Sequence, residues 1–94
     1  MTGNKAIKAV ISGRVQGVFY RAETKKAADR LGVNGWVRNL PNGCVEAVFQ
    51  ADDQTIDQML AWCRRGSPGA VVSGIVTESC PVPEDFDSFN IRYG

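Results

Sequence analysis

An α+β sandwich on the split β-α-β, ferredoxin-like plan is the fold this sequence predicts: an antiparallel sheet, two helices on one face and a short extra C-terminal strand. Three observations predict it. Hydrophobic periodicity switches between strand-like and helix-like spacing in the order β-α-β-β-α-β. Glycine-bearing punctuation falls between the segments. The 94 residues, 44% hydrophobic and 22% charged, suit one ordinary globular domain over 1–94 with no spare module.

The elements follow in order. Lys5–Ser12 alternates, with Ile7, Ala9 and Ile11 on one face and Ala6, Lys8 and Val10 on the other, and reads as a strand. From about Tyr20 to Leu31, Thr24, Ala27, Ala28 and Leu31 fall at helical spacing, and Gly32 is the expected stop. Asn34–Leu40 and Gly43–Ala51 are two strands joined by Pro41-Asn42-Gly43, a short-range hairpin signal. A second helix starts near Asp52-Asp53, both good caps, carries Ile56, Met59, Leu60 and Cys63 on one stripe, and ends at Gly66-Ser67-Pro68-Gly69. Ala70–Ser79 is a strand, Cys80–Asp87 a Pro- and acid-rich loop, and Phe89–Tyr93 the short final strand.

Composition excludes several chemistries. There is no histidine, which removes every Ser-His, Cys-His and His-metal scheme. Three cysteines without a C-x-x-C pair argue against a zinc site and against a complete disulfide framework, so reduced thiols are expected, with Cys63 in the core. No apolar run reaches transmembrane length and Met1–Lys5 lacks a signal-peptide core, so the expected compartment is the cytoplasm. Net charge is only +1, but residues 1–40 hold eight Lys/Arg against two acids and residues 41–94 hold three against eight. The positive half would attract an anion, although mutual neutralisation on a solvated surface explains the same pattern.

The segment Gly13-Arg14-Val15-Gln16-Gly17-Val18-Phe19-Tyr20-Arg21 carries the strongest signal. It runs from a strand directly into a helix whose start holds an arginine. A helix N-terminus presents unpaired N–H groups and the positive end of the macrodipole, so a cation there has the wrong sign by a few tenths of a kcal/mol. An anion between the loop and the guanidinium removes the conflict. The G-x-x-x-G spacing lacks a Walker lysine, and an ordinary strand-to-helix turn with both arginines in solvent fits it too. A second segment, Asn34-Gly35-Trp36-Val37-Arg38-Asn39-Leu40, places Val37 and Asn39 on one face by alternation, opposite Trp36 and Arg38. If Val37 faces the helices, Asn39 does too, beside the start of the first helix. Asn39 offers a donor and an acceptor for a water and a ligand oxygen, or it forms an Asx-turn into Pro41-Asn42-Gly43.

Gly13–Arg21 followed by Gly35-Trp-Val-Arg-Asn-Leu-Pro-Asn-Gly43 resembles the acylphosphatase family. The resemblance extends to Val45-Glu46, to Gly66-Ser67-Pro68 before Ala70 and Val72, and to the ending Phe89-Asn90-Ile91-Arg92-Tyr93. Its departures are small: Asn42 stands where Asp is also common, and the cysteines look incidental. The resemblance implies metal-independent hydrolysis of the carboxyl–phosphate bond of a small-molecule acyl phosphate. It also implies that loop N–H groups, here Val15, Gln16, Gly17, Val18, Phe19 and Tyr20, and the arginine, here Arg21, bind the phosphoryl group. The asparagine, here Asn39, would orient the attacking water. No cofactor, no metal, no membrane and no nucleic acid are implied, and the family's members are small cytosolic monomers.

That chemistry suits the residues available. A carboxylate leaves without a strong general acid, so charge and position are what remain for the protein to supply. A phosphomonoester, with its alkoxide leaving group, would need more. Other candidates have simpler accounts. Arg14 and Arg38 fit solvated surface, and Asp52, Asp53 and Asp57 fit a helix start better than a metal. Trp36, Trp62 and Tyr20 fit packing, and Cys44 has no activating partner in the sequence. A non-catalytic phospho-anion module on the same loop is the alternative. RNA binding on this strand order would need closely spaced aromatics that Gly43–Phe49 lacks.

Overall fold

The computed structural model describes residues 5–80 and 86–93. Seven elements follow one another there: β1 (Lys5–Arg14), α1 (Tyr20–Leu31), β2 (Asn34–Asn39), β3 (Val45–Ala51), α2 (Asp53–Arg65), β4 (Val71–Cys80) and β5 (Phe89–Arg92). The strands form one sheet in the order β4-β1-β3-β2-β5, and Ile7, Ala9, Ile11, Val37, Val45, Ala47 and Phe49 join residues of both helices in a single buried cluster. This is the ferredoxin-like α+β arrangement the periodicity predicts.

Both helices end as their sequences dictate. The α1 stripe of Tyr20, Thr24, Ala27 and Ala28 is buried, and Gly32 closes the helix in the left-handed region with its N–H on the Ala28 carbonyl. Asp52 caps α2 by accepting from the Thr55 N–H at 2.8 Å. Ile56, Met59 and Cys63 form its buried face, with Leu60 half-buried beside them. Asp53 pairs with Lys5 at 2.7 Å.

The β1, β2, β3 and β4 pairings are antiparallel, but β5 joins β2 in parallel, with Gly35 opposite Phe89 and Val37 opposite Ile91. The reason is topological. β4 runs opposite to β1, so it ends at the edge of the sheet from which β2 starts. A chain crossing from there to the far side enters β5 in the direction of β2. Residues 81–85, the centre of the expected Pro- and acid-rich loop, lie outside the described residues. At its far end Phe86 donates its N–H to Gln50 Oε1 at 2.9 Å and accepts from Asn34 Nδ2 at 2.8 Å.

Strand bounds shift by one or two residues from the sequence reading. β1 continues to Arg14 through a bulge at Ser12/Gly13, where a Cβ on Gly13 would lie 2.1 Å from the Val71 carbonyl oxygen. The sheet face away from the helices is mostly polar. There Arg38 holds Glu46 across the β2–β3 pair at 2.7 Å, and the guanidinium carbons of Arg38 and Arg92 lie 5.4 and 4.6 Å from the centre of the Trp36 ring. Arg38 is thus engaged on the face opposite the helices.

Candidate active site

β1, β2 and β5 all run in one direction, so their C-terminal ends converge at one end of the sheet. There Val15–Phe19 turns from β1 into α1, and Asn39 and Tyr93 stand at the ends of the other two strands. Between them lies a cavity of about 260 Å³. Arg21 and Asn39 both line it, together with Gly17, Phe19, Ile91 and Tyr93.

The loop is shaped by two left-handed residues. Gly17 has φ +76°, and a Cβ there would meet no other atom, so the demand for glycine is conformational rather than steric. Phe19 has φ +61° and ψ 23° and stands at the N-cap of α1 with no side-chain capping bond. A non-glycine residue held there costs of order 1–3 kcal/mol. Among the described residues, no N–H from Gln16 to Phe19 donates to a protein acceptor. The first N–H groups of α1 add to this run, because a helix leaves them unpaired. Such a nest at the positive end of a helix is a natural oxyanion receptor.

Side chains hold this loop in place. Gln16 Nε2 donates to the carbonyls of Leu40 and Cys44, each at 2.8 Å, and so fixes the loop to the β2–β3 turn. Buried Ser67 donates from Oγ to the Val18 carbonyl at 2.9 Å. Tyr20 lies buried under α1, with its hydroxyl donating to the Cys63 carbonyl at 2.9 Å and its ring 5.6 Å from that of Trp62. Burial drives its phenol far above the usual range, and its hydroxyl is spent on the Cys63 carbonyl. Of the loop residues expected in the site, Val15, Gly17, Phe19 and Tyr20 border the cavity, whereas Gln16 and Val18 are turned to these struts and to the core.

Arg21 is the second residue of α1, and its guanidinium carbon sits 5.0 Å from the centre of the Tyr93 ring. No acid among the described residues pairs with it. Arg14, at the exposed end of β1, does not border the cavity. Asn39 is the other half of the site. Its Oδ1 is buried and, among the described residues, has no hydrogen-bond partner. The Asx bond that sequence allowed to Asn39 is made by Asn42, whose Oδ1 accepts from the Cys44 N–H at 3.0 Å. An orphaned buried acceptor costs about 1–3 kcal/mol unless a ligand or water satisfies it.

Three contributors went unnoticed as site residues in the sequence: Tyr93, Ile91 and the buried hydroxyl of Ser67. Alternation along Phe89, Ile91 and Tyr93 puts all three on one face, but only the parallel β5–β2 pairing brings that face to Asn39. That pairing has no local signal.

Comparison with known proteins identifies the family. The acylphosphatase family model matches residues 7–91. An acylphosphatase of Haloquadratum walsbyi is 54% identical over 82 residues, covering 87% of each chain. One of Rubrobacter xylanophilus is 47% identical over 88 residues, covering 94% of this chain and 80% of its own. Among solved structures, an acylphosphatase from Coxiella burnetii superposes with a TM-score of 0.91 at 38% identity, covering 96% of this chain and 94% of that one. With its sequence and its fold in agreement, this chain belongs to the acylphosphatase family and is an enzyme that hydrolyses acyl phosphates.

Proposed function

We propose that the cavity between the Val15–Tyr20 loop and Asn39 is where an acyl phosphate is cleaved, with Arg21 and Asn39 as its catalytic residues. One observation carries this reading: the buried, unpartnered Oδ1 of Asn39 borders the same cavity as Arg21 and the unpaired loop. The loop N–H groups and the guanidinium hold the phosphoryl oxygens and offset the charge that builds on them. Asn39 Oδ1 accepts a hydrogen bond from water and so sets that oxygen opposite the leaving carboxylate. The water oxygen bonds to phosphorus, and the phosphorus–oxygen bond to the acyl group breaks with its electron pair, releasing a carboxylate. The water proton goes to a phosphoryl oxygen, giving inorganic phosphate. No step requires a metal, a cofactor or a protein-borne acid.

On this reading residues 1–94 act as one domain, and a monomeric state and a cytoplasmic location are what the resemblance to the family implies. No helix among the described residues is long and apolar enough to cross a membrane. Nucleic acid is no partner on this reading, since Lys8, Val10, Glu46 and Val48, on the outward face of β1 and β3, put no aromatic side chain on those two strands.

Benzoyl phosphate hydrolysis in EDTA, followed by loss of ultraviolet absorbance, tests the assignment beside p-nitrophenyl phosphate. The acyl phosphate alone should turn over. Asn39→Ala should lose about 10² or more in rate, the scale for removing one preorganised hydrogen-bonding group, and still bind inorganic phosphate nearly normally. A parent that binds phosphate without turnover would mark an anion sensor. An equal loss of binding and rate in Asn39→Ala would remove the water-positioning role.

A further inference from the structure

The large hydrophobic side chains most exposed among the described residues are Phe19, Val71, Val76 and Tyr93. Two of these four, Phe19 at 81% and Tyr93 at 79% exposure, stand at the mouth of the candidate active site. Phe19 breaks two local rules at once. It occupies a left-handed position that bulky residues avoid, and an N-cap where short polar side chains are favoured. Asparagine would satisfy both. Residues that break local rules without visible compensation mark functional positions.

The cavity is also larger than its phosphoryl cargo. A cavity holds one water in roughly 10–15 Å³ by a comparable measure, so a phosphoryl group and one water fill only part of the 260 Å³ available. Half-buried Ile91 borders the remaining space with the two rings. Arg21 is the single charged residue on the cavity wall among the described residues, and the phosphoryl group engages it. No second cation stands there to receive a carboxylate on the acyl part.

We infer that Phe19 and Tyr93, over Ile91, form a subsite for the acyl group and select acyl phosphates whose acyl part is uncharged and aromatic. The inference rests on the proposed placement of the phosphoryl group at Arg21. With that group in the loop, the acyl carbon lies toward the mouth, and a flat apolar group there covers both rings. The Tyr93 ring, already facing the Arg21 guanidinium, is held for such stacking on its rim.

The test compares kcat/KM for benzoyl, acetyl and succinyl phosphate in the parent and in Phe19→Asn, Tyr93→Ala and Tyr93→Phe. Asparagine keeps the left-handed turn and caps the helix, so Phe19→Asn removes the ring and spares the fold. The parent should favour benzoyl over acetyl phosphate at least tenfold and disfavour succinyl phosphate most. The benzoyl-to-acetyl ratio should fall about tenfold in Phe19→Asn and in Tyr93→Ala and persist in Tyr93→Phe. Equal kcat/KM for the three substrates in the parent, or a ratio unmoved in both ring-removing variants, would overturn the subsite. Competitive inhibition by inorganic phosphate separates the two levels. A flat ratio with that inhibition intact refutes the acyl subsite alone, whereas its absence in the parent refutes the phosphoryl placement and the subsite with it.

Discussion

Gln16 Nε2 lies 2.8 Å from the carbonyl oxygen of Leu40, so the anion loop is fastened to the residue that directly follows Asn39. The same nitrogen reaches the Cys44 carbonyl, and both carbonyls also accept backbone N–H groups of the turn, from Gly43 and Leu40. On the proposed placement, this amide therefore helps to fix the span between phosphoryl group and water. Gln16→Met keeps the length of the side chain and removes the donor, while the two carbonyls keep their backbone partners. We expect stability to fall by about 1 kcal/mol, the net worth of such hydrogen bonds. The kcat should fall about tenfold, because misplacement by a fraction of an ångström is costly to a positioned water. The inhibition constant for inorganic phosphate should stay within about threefold. Phosphate affinity lost in step with kcat would instead assign Gln16 to the cradle itself.

Arg21 separates stability from activity. A cation in the first turn of a helix is unfavourable by about 0.3–1 kcal/mol, and its contact with Tyr93 returns about 0.5–1 kcal/mol. These terms oppose each other at similar size. Arg21→Ala should thus unfold within about 0.5 kcal/mol of the parent in urea while losing about 10²–10³ in kcat/KM, with phosphate affinity falling as well. A large drop in stability would mean that Arg21 is structural.

Sequence reasoning reached most of the fold because each buried stripe is written locally. Thr24, Ala27 and Ala28, or Ile56, Met59 and Cys63, specify a helix face without reference to any other segment. Period-two spacing likewise places Asn39 with buried Val37 and sets Arg38 on the opposite face, where the structure pairs it with Glu46. What stayed hidden depends on residues distant in the chain. The carbonyls that Gln16 grips are 24 and 28 residues away, and the Val18 carbonyl that Ser67 holds is 49 away. Tyr93 reaches Arg21 only because β5 lies on β2. The left-handed Phe19 was invisible for another reason: nothing in a phenylalanine announces a conformation it ordinarily avoids.

Gly17 gives a conformational test of the loop. Alanine there meets no neighbouring atom, so only the left-handed backbone opposes it, at roughly 1–2 kcal/mol. Part of that penalty can be relieved by flattening the nest. Gly17→Ala should therefore weaken competitive inhibition by phosphate severalfold while heat or urea reports the lost stability. A change in stability alone would place the anion elsewhere.

Alkaline pH probes the core beneath the site. Burial pushes the Cys63 thiol up to about 12 from its usual value of 9.0, and the buried Tyr20 phenol, which donates to the Cys63 carbonyl, is raised as well. Both groups keep their protons in the folded chain at pH values where the unfolded chain releases them. Folding stability is then full below pH 9 and declines from about 9 to 12, by up to about 1.4 kcal/mol per pH unit for each group titrating only when unfolded. Urea unfolding at pH 7, 9 and 10.5 should give nearly equal midpoints for the first two and a clearly lower one for the third. Cys63→Ala removes the thiol contribution, so its decline should begin nearer pH 10, where an unfolded tyrosine ionises. A thiol reagent at pH 8 should likewise modify half-exposed Cys44 well before Cys63, which becomes reactive on unfolding. Midpoints flat to pH 10.5, or prompt labelling of Cys63 in the native chain, would show that the core under α1 admits water.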